Sequence, residues 1–498
     1  MRDALATVVR YGGLAAVLLL PLWFNPYTRV PFEPAKVTLF WTIATVMGAA
    51  WLVWRLLGLP TRQSSQASHA SAGRPLPWAV SAYAAVVLLA TAVSIDLRLS
   101  LWGTADNPRG ATTILAGVLF FLALADVLRR PAQINRLVQV LILASVPVIV
   151  YGFAQALGLD PLPWITDSVS PVHATLGRSN FLGAYLAMVV PWTLALVTLG
   201  SRCNADVCPS DELAGSRRFG VVLLMQVTCL VLTLARGAWL GLTVGSVVFF
   251  VLLALRWRQR RLWQAAGLAL VVGCGVLAAM TFVRLPAGNE QAAAAGMSYP
   301  ELRTESALRR SVIWQHALAL APARWPLGYG PATFEQVFSA RYPPGTLYQG
   351  TDAVVDDPHN LLLERLLATG VIGLVVYGGL MVAFAKTGLD LWQRGRGLDT
   401  AQTPIGNHPE GTRPTVSGRQ GLDTAQTPTR SAVSASGRQR WSETMAAAAL
   451  ASVAAYLTQA LFNPDVVVLS MLFWLALAVM LAVARMDTLL AHEDHRNR

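Results

Sequence analysis

Residues 219–255 read FGVVLLMQVTCLVLTLARGAWLGLTVGSVVFFVLLAL, with a single charge at Arg236. As one helix at 1.5 Å per residue this stretch would run about 55 Å, against a bilayer core of about 30 Å. Two helices, 219–235 and 237–255, fit instead if the chain reverses at Ala235-Arg236-Gly237. Gly237 is the residue that permits such a turn. Arg236 then lies at a membrane surface and not in hydrocarbon.

Outward from this stretch, apolar runs of similar length recur at 11–24, 37–59, 77–95, 111–128, 137–157, 180–200, 262–283, 361–385, 444–462 and 466–484. The expectation is an all-α polytopic membrane protein of about twelve transmembrane helices. Composition agrees. The chain is 54% hydrophobic and 13% charged, where soluble domains carry about 25% charged residues. The basic N-terminus followed by an apolar run reads as an uncleaved first span.

The net charge is +12, yet only Lys36 and Lys386 are lysines. The basic residues fall in loops between apolar runs and form no continuous polar face, which argues against a nucleic-acid partner. With the N-terminus inside, 26 of the 39 basic residues fall on the inner side, so both termini are expected in the cytoplasm. The segments are then 1–283 (nine spans), 284–360 (a large external loop with an amphipathic helix), 361–385 (a tenth span), 386–443 and 444–498 (two spans and a tail). Segment 386–443 is rich in Gly, Thr, Pro, Ser and Arg and repeats GLDTAQTP at 397–404 and 421–428. It has little apolar area to bury and reads as a disordered cytoplasmic loop. Four cysteines make neither a disulfide framework nor a zinc site, no Asp-x-Asp occurs, and no metal or cofactor is expected.

Four stretches carry candidate chemistry. In DDPHN (356–360), Asp357 suits a helix N-cap and Pro358 the first helical position. His359 then falls in the first turn of the following span, where an imidazole is a usable general base. Read alone, DPHN is foremost a capped helix start. In 301–321, Arg310 and Trp314 share a helix face that Ala317, Leu318 and Ala321 continue, with Arg309 rotated away. Pro322 and Pro326 bound that helix, and GYGP (328–331) makes a turn. Arginine forks suit phosphate oxygens, though each is also readable as an interfacial residue. Gly177, Arg178 and Asn180 open another span, with Asn180 as a helix N-cap.

LGRSNFLGAYLA, LTLARGAWLGL, LRRSVIWQHALALAPARWPLGYGPATF and DPHNLLLERLLATGVIGL occur in this order. In that order they resemble the O-antigen ligase and polymerase superfamily of bacterial inner-membrane glycosyltransferases, over about 175–375. The family carries Ser before the turn arginine where this chain has Ala235, so that hydroxyl is not needed here or its role is filled elsewhere. The resemblance implies a multi-pass inner-membrane enzyme with its site facing the periplasm. It implies transfer of a glycan from undecaprenyl diphosphate to an acceptor hydroxyl, with inversion, without metal or cofactor. By position His359 matches the family's essential histidine, and Arg236 and Arg310 its diphosphate-binding arginines. Arg309, Arg178, Asn180, Asp356, Asp357, Asn360, Trp314 and Tyr329 flank these motifs and complete the candidate substrate-binding set. The expected acceptor is lipid A-core, as in a ligase. Another lipid-linked glycan, as in a polymerase, or a protein Ser or Thr uses the same donor chemistry. A lipid-linked glycan transporter and a scaffold subunit are the readings of other classes.

Overall fold

The computed structural model describes the chain except residues 59–74, 163–169, 171, 201–209, 283–298, 344–353, 402–429 and 497–498. Among the described residues there are fifteen α-helices. The first ten are α1 (Arg2–Leu19), α2 (Glu33–Leu56), α3 (Pro75–Ala92), α4 (Leu97–Trp102), α5 (Ala111–Val127), α6 (Pro131–Ala156), α7 (Ser179–Gly200), α8 (Ser210–Leu232), α9 (Arg236–Trp257) and α10 (Arg260–Phe282). Then follow α11 (Tyr299–Leu320), α12 (Phe334–Arg341), α13 (Leu361–Ala401), α14 (Arg430–Ala460) and α15 (Val467–Arg496). Eight of these are long and apolar enough to cross a membrane, so the chain is a multi-pass membrane protein. Each of the twelve apolar stretches overlies a helix. The first ends early, at Leu19, because buried Lys36 donates to the Leu20 (3.0 Å) and Trp23 (2.5 Å) carbonyls and closes that end.

The bundle is built around α15, whose most apolar window is 94% buried. It packs against α14, α5 and α13, and its N-terminus is closed by Glu33 of α2, whose Oε1 accepts from the Val467 N–H at 2.8 Å. The connections meet in two groups. One holds the starts of α2, α5, α13 and α15, joined through Glu33, Arg109, Asp357 and Asp465. The other holds the far ends, where Asp126 pairs with Arg55 and Arg485, both at 2.7 Å, and Arg256 pairs with Glu443 at 2.7 Å.

The break expected in 219–255 occurs at 233–235, between α8 and α9. The sequence assigned the turn to Gly237, but Leu234 makes it, at φ 53°, and Gly237 lies within α9. Gly237 is instead the first of three glycines, with Gly241 and Gly245, on one face of α9. A Cβ on Gly241 or Gly245 would lie 2.8 or 2.9 Å from the Ala455 or Ala451 carbonyl of α14. Small residues four apart let two backbones approach closely. The helix predicted around 301–321 is α11, and the GYGP turn follows it with Gly328 and Gly330 at positive φ.

Two further boundaries differ from expectation. Asn180 is not an N-cap, because the Arg178 carbonyl accepts the first helical N–H groups of α7 and Asn180 lies inside its first turn. Helix α13 runs past 385 to Ala401 and α14 begins at Arg430, so both ends of the segment read as a disordered loop are helical. Its middle, and both Cys203 and Cys208, lie outside the described residues.

Helix α13 is broken at Gly370, at φ 68° and ψ −171°. The turn 325–330 fills the break. Tyr329 and Gly330 donate their N–H groups to the Leu367 and Ala368 carbonyls, at 2.7 and 3.0 Å. Trp325 and Pro326 carbonyls accept from Val371 and Ile372, at 2.8 and 3.2 Å. A backbone break inside an apolar span stands only where other protein satisfies its polar groups. A Cβ on Gly370 would collide with the Pro326 carbonyl, in a region of φ/ψ space open essentially to glycine. Gly370→Ala should therefore cost about 1–3 kcal/mol. A thermal melt of the detergent-solubilised protein checks this, and an unchanged midpoint would contradict it.

Candidate functional site

Helix α13 begins at Leu361, not at Pro358 as the sequence suggested. Its N-cap is Asn360, whose Oδ1 accepts from the Leu362 and Leu363 N–H groups at 3.0 and 3.2 Å. Asp357 is drawn away from that role. Its Oδ2 takes the Arg109 guanidinium at 2.9 Å, and its Oδ1 accepts the His359 N–H at 2.6 Å. His359 thus precedes the helix and stands in a left-handed conformation, φ 53°. Its Nδ1 lies 3.4 Å from Asp357 Oδ1, and the side chain is partly exposed. The conformation costs energy in a non-glycine residue, and the surrounding hydrogen bonds hold it.

Arg109 is the hub of this corner. Its Nη1 also donates to the Asp465 carbonyl at 2.8 Å, and its Nε to Asn107 Oδ1. Asn360 Nδ2 reaches the Leu461 carbonyl at 3.2 Å. The turn 461–466 between the last two helices therefore receives both the His359 segment and the 104–110 loop. Trp314 of α11 joins from another side. Its Nε1 donates to the Pro358 carbonyl at 2.9 Å, and its ring lies 6.3 Å from Phe462. Arg310 is one helical turn before Trp314 and half-buried. Arg236 opens α9, and a Cβ on adjacent Gly237 would be 2.7 Å from Asn463 Nδ2. Arg236 Nη2 donates to the Met280 carbonyl of α10 at 3.2 Å.

The structure thus holds His359 against Asp357, sets Trp314 on the Pro358 carbonyl between them and Asn360 on the 461–466 turn, and carries the start of α9, with Arg236, to that same turn. Arg178 and Asn180 flank the start of α7, where a Cβ on Gly183, one turn on, would lie 2.7 Å from the Ala238 Cβ of α9. Arg178 lies 6.0 Å from the Phe181 ring on α7, and its neighbour Gly177 packs against Phe32. Arg309 follows α11 on a face rotated from Arg310.

Beneath the turn is a second layer. Asp465 Oδ2 accepts from the Tyr456 hydroxyl at 2.8 Å and lies 3.6 Å from the Arg365 guanidinium. Arg365 Nε and Asp465 Oδ1 are buried and make no further hydrogen bond within the described protein. Arg109, Arg365 and Asp465 were not singled out as site residues in the sequence. A signal existed: Asp465 is the one acid between 444 and 486, and Glu364 and Arg365 are lone charges at a span end.

An open cleft of about 620 Å³ adjoins this corner, walled by the 104–109 loop, residues 329–337, 356–358 and the first turns of α13. Arg109, Tyr329, Asp356 and Asp357 line it; His359, Arg236, Arg310 and Arg365 do not. Its charged lining is one arginine, Arg109, against the carboxylates of Glu335, Asp356, Asp357 and Glu364.

Burial raises the Asp357 carboxyl, but the Arg109 guanidinium and the bonds from His359 outweigh it and hold it at about 2. Burial raises Asp465 as well, and there Arg365 only partly opposes it, leaving the carboxyl at about 7. The two should drive opposite pH dependences. Asp357 contributes stability above its ordinary value of 3.8, lost as pH falls towards about 2. Asp465 holds a proton in the folded state that the unfolded chain releases, so its contribution declines as pH rises from 3.8 through about 7. Melting midpoints against pH should lose the acid limb in Asp357→Asn and flatten near neutrality in Asp465→Asn. Parallel profiles in both variants would contradict this.

Residues 220–378 match the family model described as O-antigen ligase. The resemblance to the O-antigen ligase and polymerase superfamily holds over this segment, which carries three of the four motifs and includes Arg236, Arg310, Trp314 and His359. Arg109, Arg178 and Asp465 lie outside it. No curated protein matches the chain.

Proposed function

We propose that this chain, with its O-antigen ligase segment at 220–378, is an inverting, metal-independent glycosyltransferase. It moves a glycan from undecaprenyl diphosphate to an acceptor hydroxyl, with lipid A-core as the acceptor. The observation that carries the reading is the convergence of the three motifs on one turn. His359 is held by Asp357, Trp314 is bonded to Pro358, and the start of α9 abuts Asn463.

Asp357 faces the Nδ1 side of the imidazole, which leaves Nε2 for the acceptor. Nε2 takes the hydroxyl proton as the acceptor oxygen bonds to the anomeric carbon. The bond from that carbon to the diphosphate oxygen breaks, and its electron pair leaves with the diphosphate. Arg236 and Arg310 neutralise the charge that develops there. A single displacement inverts the anomeric centre. Arg109 holds Asp357 and thereby positions the imidazole.

The prenyl chain stays in the bilayer, so the site belongs at a membrane surface. The charge balance of the loops supports a site on the periplasmic surface of the inner membrane, with both termini in the cytoplasm. One observation also fits a carrier of lipid-linked glycans: a helix broken at Gly370 beside the buried Arg365–Asp465 pair.

The test is transfer in detergent from a purified undecaprenyl-diphosphate glycan to lipid A-core, a second lipid-linked glycan and a Ser/Thr peptide, offered separately. Lipid A-core should be glycosylated, with the rate lowered about 10²–10⁴-fold in His359→Ala and about 10²-fold in Arg236→Ala or Arg310→Ala. Transfer to another acceptor would change the class to polymerase or protein glycosylation. Donor binding without transfer to any acceptor would favour the carrier.

A further inference from the structure

The far ends of the helices, on the surface opposite His359, hold a second group of arginines. Asp126, at the end of α5, is already matched there by Arg55 and Arg485. Arg2 opens α1, and Arg129 and Arg130 link α5 to α6. Among the described residues these three make no ion pair. The segments that connect the helices at this end, 57–74 and 128–136, contain five arginines and neither Asp nor Glu. Asp3 is exposed, lies about 100° around α1 from Arg2, and pairs with none of them.

Two of these guanidiniums converge on one side chain. Arg2 lies 4.9 Å and Arg129 5.4 Å from the centre of the Trp54 ring, in the last turn of α2, and that ring is buried. The two cations are therefore no further apart than about one Debye length, ~10 Å in 0.1 M salt, and they repel each other. The indole attracts each of them, which fixes their positions and leaves their charge uncompensated. Arg2 is wedged further by Gly58, where a Cβ would strike its guanidinium. Arg129 is tied by its Nε, which donates to the Asp126 carbonyl at 3.1 Å. The remaining N–H groups of both forks make no hydrogen bond among the described residues. Arginine forks held in place with free donors suit phosphate oxygens.

The surroundings say which phosphate. Leu52, Val53, Leu56 and Leu57, beside Trp54 at the end of α2, are between 44% and 58% exposed. Apolar surface open to acyl chains thus adjoins the two charges. A free phosphate gains nothing from that surface, whereas a phospholipid covers it while its headgroup meets the guanidiniums. A headgroup with an ammonium would add a further cation beside them, with Asp126 already taken. We infer that Arg2 and Arg129, set on Trp54, form a binding site for the phosphodiester of an anionic phospholipid whose acyl chains lie along the end of α2. The site is independent of the transfer reading, since it shares no residue with the His359 corner.

Native mass spectrometry of the full chain, tagged at its C-terminus and released from detergent, reads the affinity of added lipids. Phosphatidylglycerol should be retained in preference to phosphatidylethanolamine and phosphatidylcholine, and should raise the melting midpoint. Arg2→Ala and Arg129→Ala should each weaken its retention about 5–10-fold. Trp54→Phe keeps an aromatic face and should keep most of the binding. Arg261→Ala, exposed at the start of α10 on the same surface, should leave retention unchanged. Melting midpoints in lipid-free detergent confirm that the variants fold; Arg2→Ala, in the exposed first turn of α1, carries the test if Arg129→Ala does not. Equal retention of the zwitterionic lipids by the unaltered protein would overturn the inference. A loss in Arg261→Ala as large as that in Arg2→Ala would mark an unspecific basic surface and overturn it as well. Displacement of phosphatidylglycerol by an equal concentration of inorganic phosphate or glycerol 1-phosphate would assign the site to a free phosphate, with the same consequence.

Discussion

A helix that breaks within an apolar bundle must have its freed amides and carbonyls paired, and at Gly370 the pairing comes from residues 325–330. Four backbone hydrogen bonds join the turn after α11 to both halves of α13. This joint determines much of what surrounds it. It draws Tyr329 and Gly330 against Leu367 and Ala368, which makes one wall of the cleft. It anchors the C-terminal end of α11, so that Trp314 meets Pro358. It also lets the first turns of α13, with Glu364 and Arg365, depart from the axis of the remainder. Two positive-φ glycines, Gly328 and Gly370, make the approach possible, since a Cβ on either would strike the opposing backbone.

The second constraint is the short turn between the last two helices. The residues 461–466 are covered by α9, by Trp314, by Asn360 and by the Arg109 loop. The turn itself carries only one charged side chain, Asp465, and serves mainly through backbone carbonyls and Phe462. Because α15 is nearly wholly buried and capped by Glu33, this turn has little freedom. A histidine fixed to it inherits that rigidity. The strained His359 backbone is then understandable as the outcome of competition: Asp357 is held by Arg109, so Asn360 takes over the helix cap and His359 is left between them.

Much of the helical layout was legible from the apolar runs, and span length placed Arg236 at the reversal between two spans, where the structure has it open α9. The order of the motifs led to His359, Arg310 and Trp314. The details around them were not legible. Asp357 and Asn360 are both good capping residues, and local propensity does not say which one Arg109, 248 positions earlier in the chain, will claim. Gly237 looked like a turn glycine because it follows an arginine between two spans. Its role becomes visible only with Gly241 and Gly245 set against α14. Arg178 and Asn180 were singled out by motif, and only the fold shows that the loop before them packs on the connection between α1 and α2.

By itself the sequence determined the all-helical, membrane-spanning class. Hydrocarbon admits only apolar side chains and backbones that satisfy their own hydrogen bonds, and both properties are written in consecutive residues. The tertiary structure decided which loops meet, which acid caps which helix and which side of His359 carries the carboxylates. Those outcomes depend on contacts between residues hundreds of positions apart, such as Arg109 with Asp357 and Asp465. Such contacts arise only once glycine-mediated packing and the Gly370 break have fixed how the helices lie against one another.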